Sequence, residues 1–389
     1  MSEEKYRVLM VHNRYQIPGG EDTVVANEKK LLEDHGHEVI LYTRDNNELK
    51  TMKPWRKLLL PFTTIYNPRT ARDIKRIIRE KRVDIVHVHN TLNLISPAVY
   101  YAAVKCGVPV VQTVHNFRLL CPGATFYRDG HICEDCVTKG LGCAVKHNCY
   151  RGSKAQTLVC VISTLIHRWT GIYGKINYIT LTEFNREKLL QLKQIRPERV
   201  FIKPNFVEGK PENVERDGFI FVGRLDELKG VRTLIEAWRM MGDKAPRLTI
   251  CGTGPLEDWC REQAKGLNIE LKGFIPNSEA RKLIGRSKAL VLPTMLYEGF
   301  PMSIVEAYSM GTPVICSDLG NAGSLVEDNV TGWKFQPGSA EALMTAVCMN
   351  SDITDSVKKV YMEKYTSTAN YKILKEIYES CALLIKSTI

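Results

Sequence analysis

Twice along this chain of 389 residues, short β-branched runs alternate with segments of helical period, and that rhythm limits the fold more than any other feature. The first series reads Arg7–His12, a helix near Glu21–His35, Glu38–Tyr42, a helix near Arg69–Lys81, Asp84–His89, a helix near Pro97–Cys106, and Val108–His115. A helix between successive strands carries the chain back to the same end of the sheet, so the strands must run parallel, with helices covering both faces. Gly36 and Gly107 fall where the helices have to stop. After Val114 a Gly- and Cys-rich stretch breaks the rhythm, which resumes with a helix near Ser153–Tyr173, Tyr178–Leu181, a helix near Glu183–Leu192, and Val200–Ile202.

Lys203-Pro204-Asn205 and the polar segment Val207–Asp217 then read as a hinge. A second series follows, through Phe219–Val222, Arg247–Gly252, Ile269–Gly273, Ala289–Pro293 and Pro313–Ser317. The expectation is an α/β protein of two doubly wound parallel-sheet domains, 1–205 and 206–360, the first with a Cys-rich insertion over 116–152. A C-terminal helix over 361–389 is expected to pack back on the first domain. The length suits two domains of ordinary size.

Charge divides the chain unevenly. Residues 1–205 hold 32 Lys+Arg against 19 Asp+Glu, whereas 206–360 hold 18 against 21. Lys50–Arg82 alone has 11 basic residues, interleaved with Trp55, Leu58, Leu59, Leu60, Pro61 and Phe62. Such a composition suits a surface resting on anionic lipid headgroups, and equally a solvated basic helix beside a loop. Nucleic acid is not the expected partner, because no helix-turn-helix, zinc-finger spacing or RNA-binding aromatic signature accompanies the charge. The opening MSEEKYRVLMVHN lacks the apolar core of an export signal, and no apolar run approaches the roughly 20 residues of a spanning helix. The expected location is cytoplasmic, peripheral at the inner face of the membrane.

The sharpest local signal is Tyr297-Glu298-Gly299-Phe300-Pro301-Met302-Ser303-Ile304-Val305-Glu306-Ala307, directly after the Ala289–Pro293 strand. Pro301 suits the first helical position and Gly311 the residue just past the end, so the spacing predicts a helix over Pro301–Met310. Glu298 and Gly299 then occupy the turn at its N-terminus, where unpaired N–H groups and the positive dipole end suit a diphosphate. Glu306 lies on the helix body, so the two carboxylates can handle different hydroxyls of one ligand. The second signal, Val222-Gly223-Arg224-Leu225-Asp226-Glu227-Leu228-Lys229-Gly230, also follows a strand, and Arg224 and Lys229 bracket a turn from which both can reach phosphates.

These residues resemble the glutamate-x7-glutamate and GR-x-x-x-x-KG signatures of the retaining family 4 (group 1) glycosyltransferases of the bacterial surface-polysaccharide type. Gly252-Thr253-Gly254-Pro255-Leu256, Gly273-Phe274-Ile275 and Lys203-Pro204-Asn205 extend the likeness along nearly the whole chain. The resemblance implies a GT-B fold, two Rossmann-like domains facing a cleft, and a nucleotide-diphosphate-sugar as donor. It assigns Glu298 to hydroxyls of the transferred sugar, and Gly299 and Phe300, next to Pro301, to sugar or phosphate through their N–H groups. Glu306 falls to the ribose, Arg224 and Lys229 to the diphosphate, Phe274 and Ile275 to the base, and Gly223 and Gly254 to the donor site. In the first domain it assigns Gly19 and Gly20 to close approach to phosphate, and His115 to the cleft beside the transferred sugar. It implies retention of configuration, with Arg224 and Lys229 in place of a divalent ion, no cofactor for catalysis, and a saccharide acceptor. The basic first domain points to a lipid-linked acceptor. No Asp-x-Asp occurs in the sequence.

Cys121, Cys133, Cys136, Cys143 and Cys149 lie close enough in sequence to supply four zinc ligands, but their spacing is irregular for a zinc ribbon, and reduced thiols packing a compact loop is the competing reading. A nicotinamide-dependent dehydrogenase is set aside because Glu257 replaces the third glycine after Gly252-x-Gly254. A nucleotide-sugar epimerase on the same scaffold and a catalytically idle membrane-bound scaffold remain as alternatives, since fold alone does not fix chemistry.

Overall fold

The computed structural model describes residues 5–16, 19–211, 214–349 and 351–386. The chain forms two compact units, one of Met1–Arg128, Cys133–Lys203 and Tyr371–Ile389, the other of Asp129–Ile132 and Pro204–Asn370. Pro18, which precedes the two glycines of the first domain, lies outside the described residues.

The first unit is built on β1 (Arg7–Arg14), β2 (Glu38–Asp45), β3 (Ile85–Asn90) and β4 (Val110–Val114). After the two-residue strands β5 (Tyr127–Arg128) and β6 (His131–Ile132) come β7 (Asn177–Thr180) and β8 (Val200–Ile202). The sheet order is β2-β1-β3-β4-β7-β8, with every neighbour parallel. In β1 the run Val8–Val11 is fully buried, the continuous apolar pattern of a strand covered on both faces. From Tyr371 onward the last helix supplies Leu374, Ile377, Tyr378 and Cys381 to the same core as Tyr6, Val8 and Met10.

The second unit runs β9 (Phe219–Val222), β10 (Leu248–Cys251), β11 (Ile269–Gly273), β12 (Ala289–Leu292), β13 (Val314–Ser317) and β14 (Gly332–Phe335), in the order β11-β10-β9-β12-β13-β14. Alternate residues of each strand point to opposite faces. Phe219, Phe221, Ala289, Val291 and Ile315 accordingly enter one core, and Ile220, Leu290, Leu292, Val314 and Cys316 the other. Both sheets are therefore Rossmann-like and doubly wound. In each, the chain builds outward from a central strand, then returns to that strand's other side. The switch falls between β1 and β3 in the first unit and between β9 and β12 in the second. Loops leaving the carboxyl ends of two such strands diverge and open a crevice for ligand.

Several local expectations need correction. Pro301 is the N-cap, not the first helical residue. Its backbone is extended (ψ 94°), its carbonyl accepts from Ile304 N–H, and the helix spans Met302–Ser309. The basic stretch is not a helix beside a loop but two helices, Pro54–Ile65 and Pro68–Lys81, because Pro54 and Pro68 each stand in a first turn. The final segment divides into Thr354–Lys364 and Ser367–Lys386. His115 lies one residue beyond β4 rather than ending it. β14 was not anticipated, since Gly332-Trp333-Lys334-Phe335 is short and opens on glycine.

Candidate active site

In the second unit three loops at the carboxyl ends of β10, β9 and β12 are locked together by backbone contacts that only glycine permits. Gly230 has φ +70°, and a Cβ there would lie 1.8 Å from the Pro293 carbonyl oxygen. A Cβ on Gly252 would meet the Gly223 carbonyl at 1.8 Å, and one on Gly254 the Leu225 carbonyl at 2.3 Å. Leu225 N–H donates to Thr253, Leu256 N–H to Leu225, and Met295 N–H to Leu228. The glycines are thus explained first as packing sites, and that packing brings Lys229 to Glu298.

The Lys229 ammonium donates to Glu298 Oε1 at 2.6 Å, and the Thr294 hydroxyl reaches the same oxygen at 3.0 Å. Asn321 Nδ2 donates to the carbonyls of Glu298 and Gly299 at 2.5 and 2.8 Å, pinning the turn that precedes the helix. Asp226 accepts from Lys229 N–H at 3.0 Å and lies 3.3 Å from Arg224 Nε, while Arg224 itself is 67% exposed. Glu306 accepts from Asn277 Nδ2 at 2.9 Å, on the segment that follows Phe274 and Ile275. Phe274 is exposed, and Ile275 packs against the core. Lys229 and Glu298 are in contact; Glu306 pairs separately with Asn277. Thr294, Asn321 and Asn277 escaped sequence reading because a lone Thr just past a strand, or a lone Asn in the first turn of a helix, carries no pattern.

In the first unit the switch-point strands carry histidines. His87 and His89 share one face of β3 by the two-residue period. His89 Nδ1 lies 3.0 Å from His115 Nε2, with the rings stacked at 5.3 Å. Behind them Glu28, from the helix Gly20–Asp34, pairs with the fully buried Lys203. Burial pushes His87 down to about 4 and His115 to about 3, and it holds His89 well below the ordinary imidazole range. Burial, the largest single influence, raises Glu28, but the Lys203 ammonium together with His87 and His115 outweighs it, and the carboxyl ends below its usual value. His115, half-buried, lines a cavity of about 100 Å³ with His89, Gln112 and Arg118. Gly19 caps the helix Gly20–Asp34, its N–H donating to Asp22 Oδ2 at 3.0 Å; Gly19 and Gly20 are exposed.

Donor atoms of Glu28, His87 and His89 lie within 4.8 Å of one another, the one such His/Cys/Asp/Glu group among the described residues. It is poorly suited to a cation. Both nitrogens of His87 are engaged, by the Tyr378 hydroxyl at 2.8 Å and Thr113 Oγ1 at 2.7 Å, and Lys203 already supplies the positive charge. The zinc expectation for Cys121, Cys133, Cys136, Cys143 and Cys149 is not supported: no three of these groups meet that spacing. Cys121, Cys133, Cys136 and Cys143 stand outside any disulfide, and Cys136, Cys143 and Cys149 pack with Leu141, Ala144 and Val161 as a small apolar cluster.

The helices Pro54–Ile65 and Lys154–Trp169 pack together, with His167 Nε2–H donating to the Ile65 carbonyl at 2.9 Å. Both leave apolar side chains in solvent: Trp55, Leu58, Leu59 and Phe62 on one, Leu158, Ile162, Leu165, Ile166 and Trp169 on the other. Leu58 is 77% exposed and Trp169 88%. Lys53, Arg56, Lys57 and Lys154 are exposed on the same helices. Among the described residues no helix is long and apolar enough to cross a membrane.

Family matching assigns residues 18–132 to Glycosyltransferase Family 4 and residues 216–350 to Glycosyl transferases group 1. The chain belongs to the family 4 glycosyltransferases. The matched ranges include Gly19, Gly20 and His115 in the first case, and Arg224, Lys229, Phe274, Glu298 and Glu306 in the second. The amylovoran biosynthesis glycosyltransferase AmsK of Erwinia amylovora is 28% identical over 206 residues, 48% of this chain and 49% of AmsK. A glycogen synthase of Mycobacterium tuberculosis is 34% identical over 280 residues, 69% of this chain and 60% of the synthase. The chain thus spans about half to three fifths of the length of these relatives. The structure of Anabaena HepE in complex with UDP superposes with a TM-score of 0.65 at 16% identity, covering 96% of this chain and all of HepE, which supports the GT-B fold.

Proposed function

We propose that this member of the family transfers a sugar, with retention, from a nucleotide-diphosphate-sugar held by residues 206–360 to a hydroxyl of a lipid-linked saccharide, in synthesis of a cell-surface polysaccharide. The observation that carries the donor assignment is the Lys229–Glu298 pair at the switch point of the second sheet, with Arg224 exposed beside it. In this reading Lys229 and Arg224 neutralise the leaving diphosphate, work that a divalent ion does in other enzymes. Glu298 binds sugar hydroxyls, N–H groups near Gly299 and Phe300 hold sugar or phosphate, Glu306 takes the ribose, and Phe274 and Ile275 take the base. Gly19, Gly20 and His115 serve the sugar and phosphate from the first unit. The bound UDP of HepE and the polysaccharide named for AmsK support this direction.

The apolar faces of Pro54–Ile65 and Lys154–Trp169, with their lysines and arginine, support peripheral docking on an anionic bilayer that presents the acceptor. The donor assignment is tested by thermal shift with UDP, GDP, ADP and CMP on wild type and Lys229→Ala. At 100 times its dissociation constant a ligand adds about 2.7 kcal/mol, on the order of 5 °C for a domain of this size. A shift with one nucleoside diphosphate, lost in the variant, is expected; no shift with any of the four overturns the donor reading.

A further inference from the structure

Behind His115 lies a chain of groups that the donor reading does not use, all within the first unit. Lys203 donates to Glu28 Oε1. The other oxygen, Oε2, lies 3.3 Å from His89 Nε2 as an ion-pair contact, and both atoms are buried with no hydrogen-bond partner elsewhere to compete for them. His89 Nδ1 then meets His115 Nε2 at 3.0 Å. Side chains from the first helix, from β3, from beyond β4 and from beyond β8 thus line up in one row ending at the cavity.

The donor and acceptor inventory leaves one self-consistent arrangement. A carboxylate only accepts, and an ammonium only donates. With Lys203 against it, Glu28 stays ionised, so His89 must present Nε2–H toward Oε2. Neutral His89 then has a bare Nδ1, which can only accept, and His115 must supply its Nε2–H. We propose that Glu28 and His89 are positioning residues that lock His115 into the Nε2–H tautomer, leaving Nδ1 as the hydrogen-bond acceptor it offers to a substrate hydroxyl. The reverse tautomer would set the His89 Nε2 lone pair against a carboxylate oxygen at 3.3 Å. The low basicity of His89 and His115 fits this role: both stay neutral, so His115 orients a hydroxyl and does not carry its proton away.

Glu28→Gln should reverse the row. Lys203 can only donate, so it takes the amide oxygen, and the amide NH2 is left facing His89 Nε2. His89 must then carry Nδ1–H, and His115 must accept at Nε2 and protonate Nδ1. Long-range ¹H–¹⁵N spectra of histidine-labelled full-length protein read this directly, with His115→Gln to assign the signal. The expected result is Nε2–H in wild type and Nδ1–H in Glu28→Gln. An Nδ1–H or doubly protonated His115 in wild type, or an unchanged tautomer in the variant, overturns the proposal. Should Glu28→Gln fail to fold, His89→Leu replaces it, and His115 should then lose its single fixed tautomer; retention of a fixed Nε2–H would sink the relay. The effect on turnover rests on the glycosyl-transfer reading: kcat should fall about 10- to 100-fold with donor KM little changed. The spectra do not depend on it, so a wild type with the expected tautomer and no transferase activity would count against the function alone.

Discussion

Two lysine–glutamate pairs, Lys203–Glu28 and Lys229–Glu298, have the same chemistry and opposite surroundings. The first is wholly sealed, with both side chains 0% exposed; the second is left at 27% and 13%. Sealed charges must stay paired, because an unpaired charge has no water to fall back on. Such a pair can fix its neighbours, but it cannot open to receive a ligand. A partly exposed pair costs little to separate, which is what a cation needs if it is to leave one carboxylate for a diphosphate. The first unit thus keeps its charge for internal order, and the second keeps its charge available.

The largest effect is expected at Lys203→Met. Stranding Glu28 should cost about 3–5 kcal/mol, read as a lowered urea midpoint for the first unit; stability equal to wild type would show that the pair is not sealed. Lys229→Met should do the reverse. Its stability should stay within about 1 kcal/mol of wild type, while kcat falls by about 10² to 10³ as one charge on the leaving group is lost. Equal damage to stability and turnover at both lysines would erase the distinction.

Acid sharpens the contrast further. Of the nine histidines eight belong to the first unit, and the second has only the exposed His131. His87 and His115 are held neutral to about 4 and 3. Between about pH 6.5 and those values the unfolded chain binds protons that the native one does not, so stability falls as pH falls, by about 3 kcal/mol for His87 alone. Glu28 acts with the same sign but only at lower pH, its contribution being lost below the ordinary carboxyl range as pH drops through its lowered native value. Calorimetry from pH 7 to 4.5 should therefore show the transition of the first unit moving down well ahead of that of the second. The smallest effect on folding belongs to the exposed helix faces. Changing Leu58, Phe62 and Trp169 together to serine should leave stability within about 0.5 kcal/mol per site, yet weaken binding to anionic vesicles at least about 10-fold; undiminished binding would remove the docking surface.

The parallel sheets could be read in the sequence because each buried strand announces itself locally, as in Val8–Val11 or Phe219–Val222. The Lys229 and Glu298 motifs were legible for the same reason, each sitting within ten residues of its strand. The histidine row was not. Glu28 and Lys203 are 175 positions apart, and no window of sequence joins them. The alternation of His87 and His89 on one strand was the visible part of that row, and by itself it says only that two imidazoles share a face. The apolar stripe of Pro54–Ile65 was seen as composition, but its continuation on Lys154–Trp169 depends on tertiary packing.

The return of the last helix has a consequence for how the protein is born. The first unit is not continuous in sequence: residues 204–370 are inserted between Lys203 and the segment that begins at Tyr371. The Tyr378 hydroxyl that meets His87, and the Leu374 and Ile377 side chains beside Met10, therefore leave the ribosome only after the whole of 204–370. Domains fold as units during synthesis. The second unit can mature while the earlier one waits with an uncovered patch of its core, so of the two units the one whose translation starts earlier is completed later.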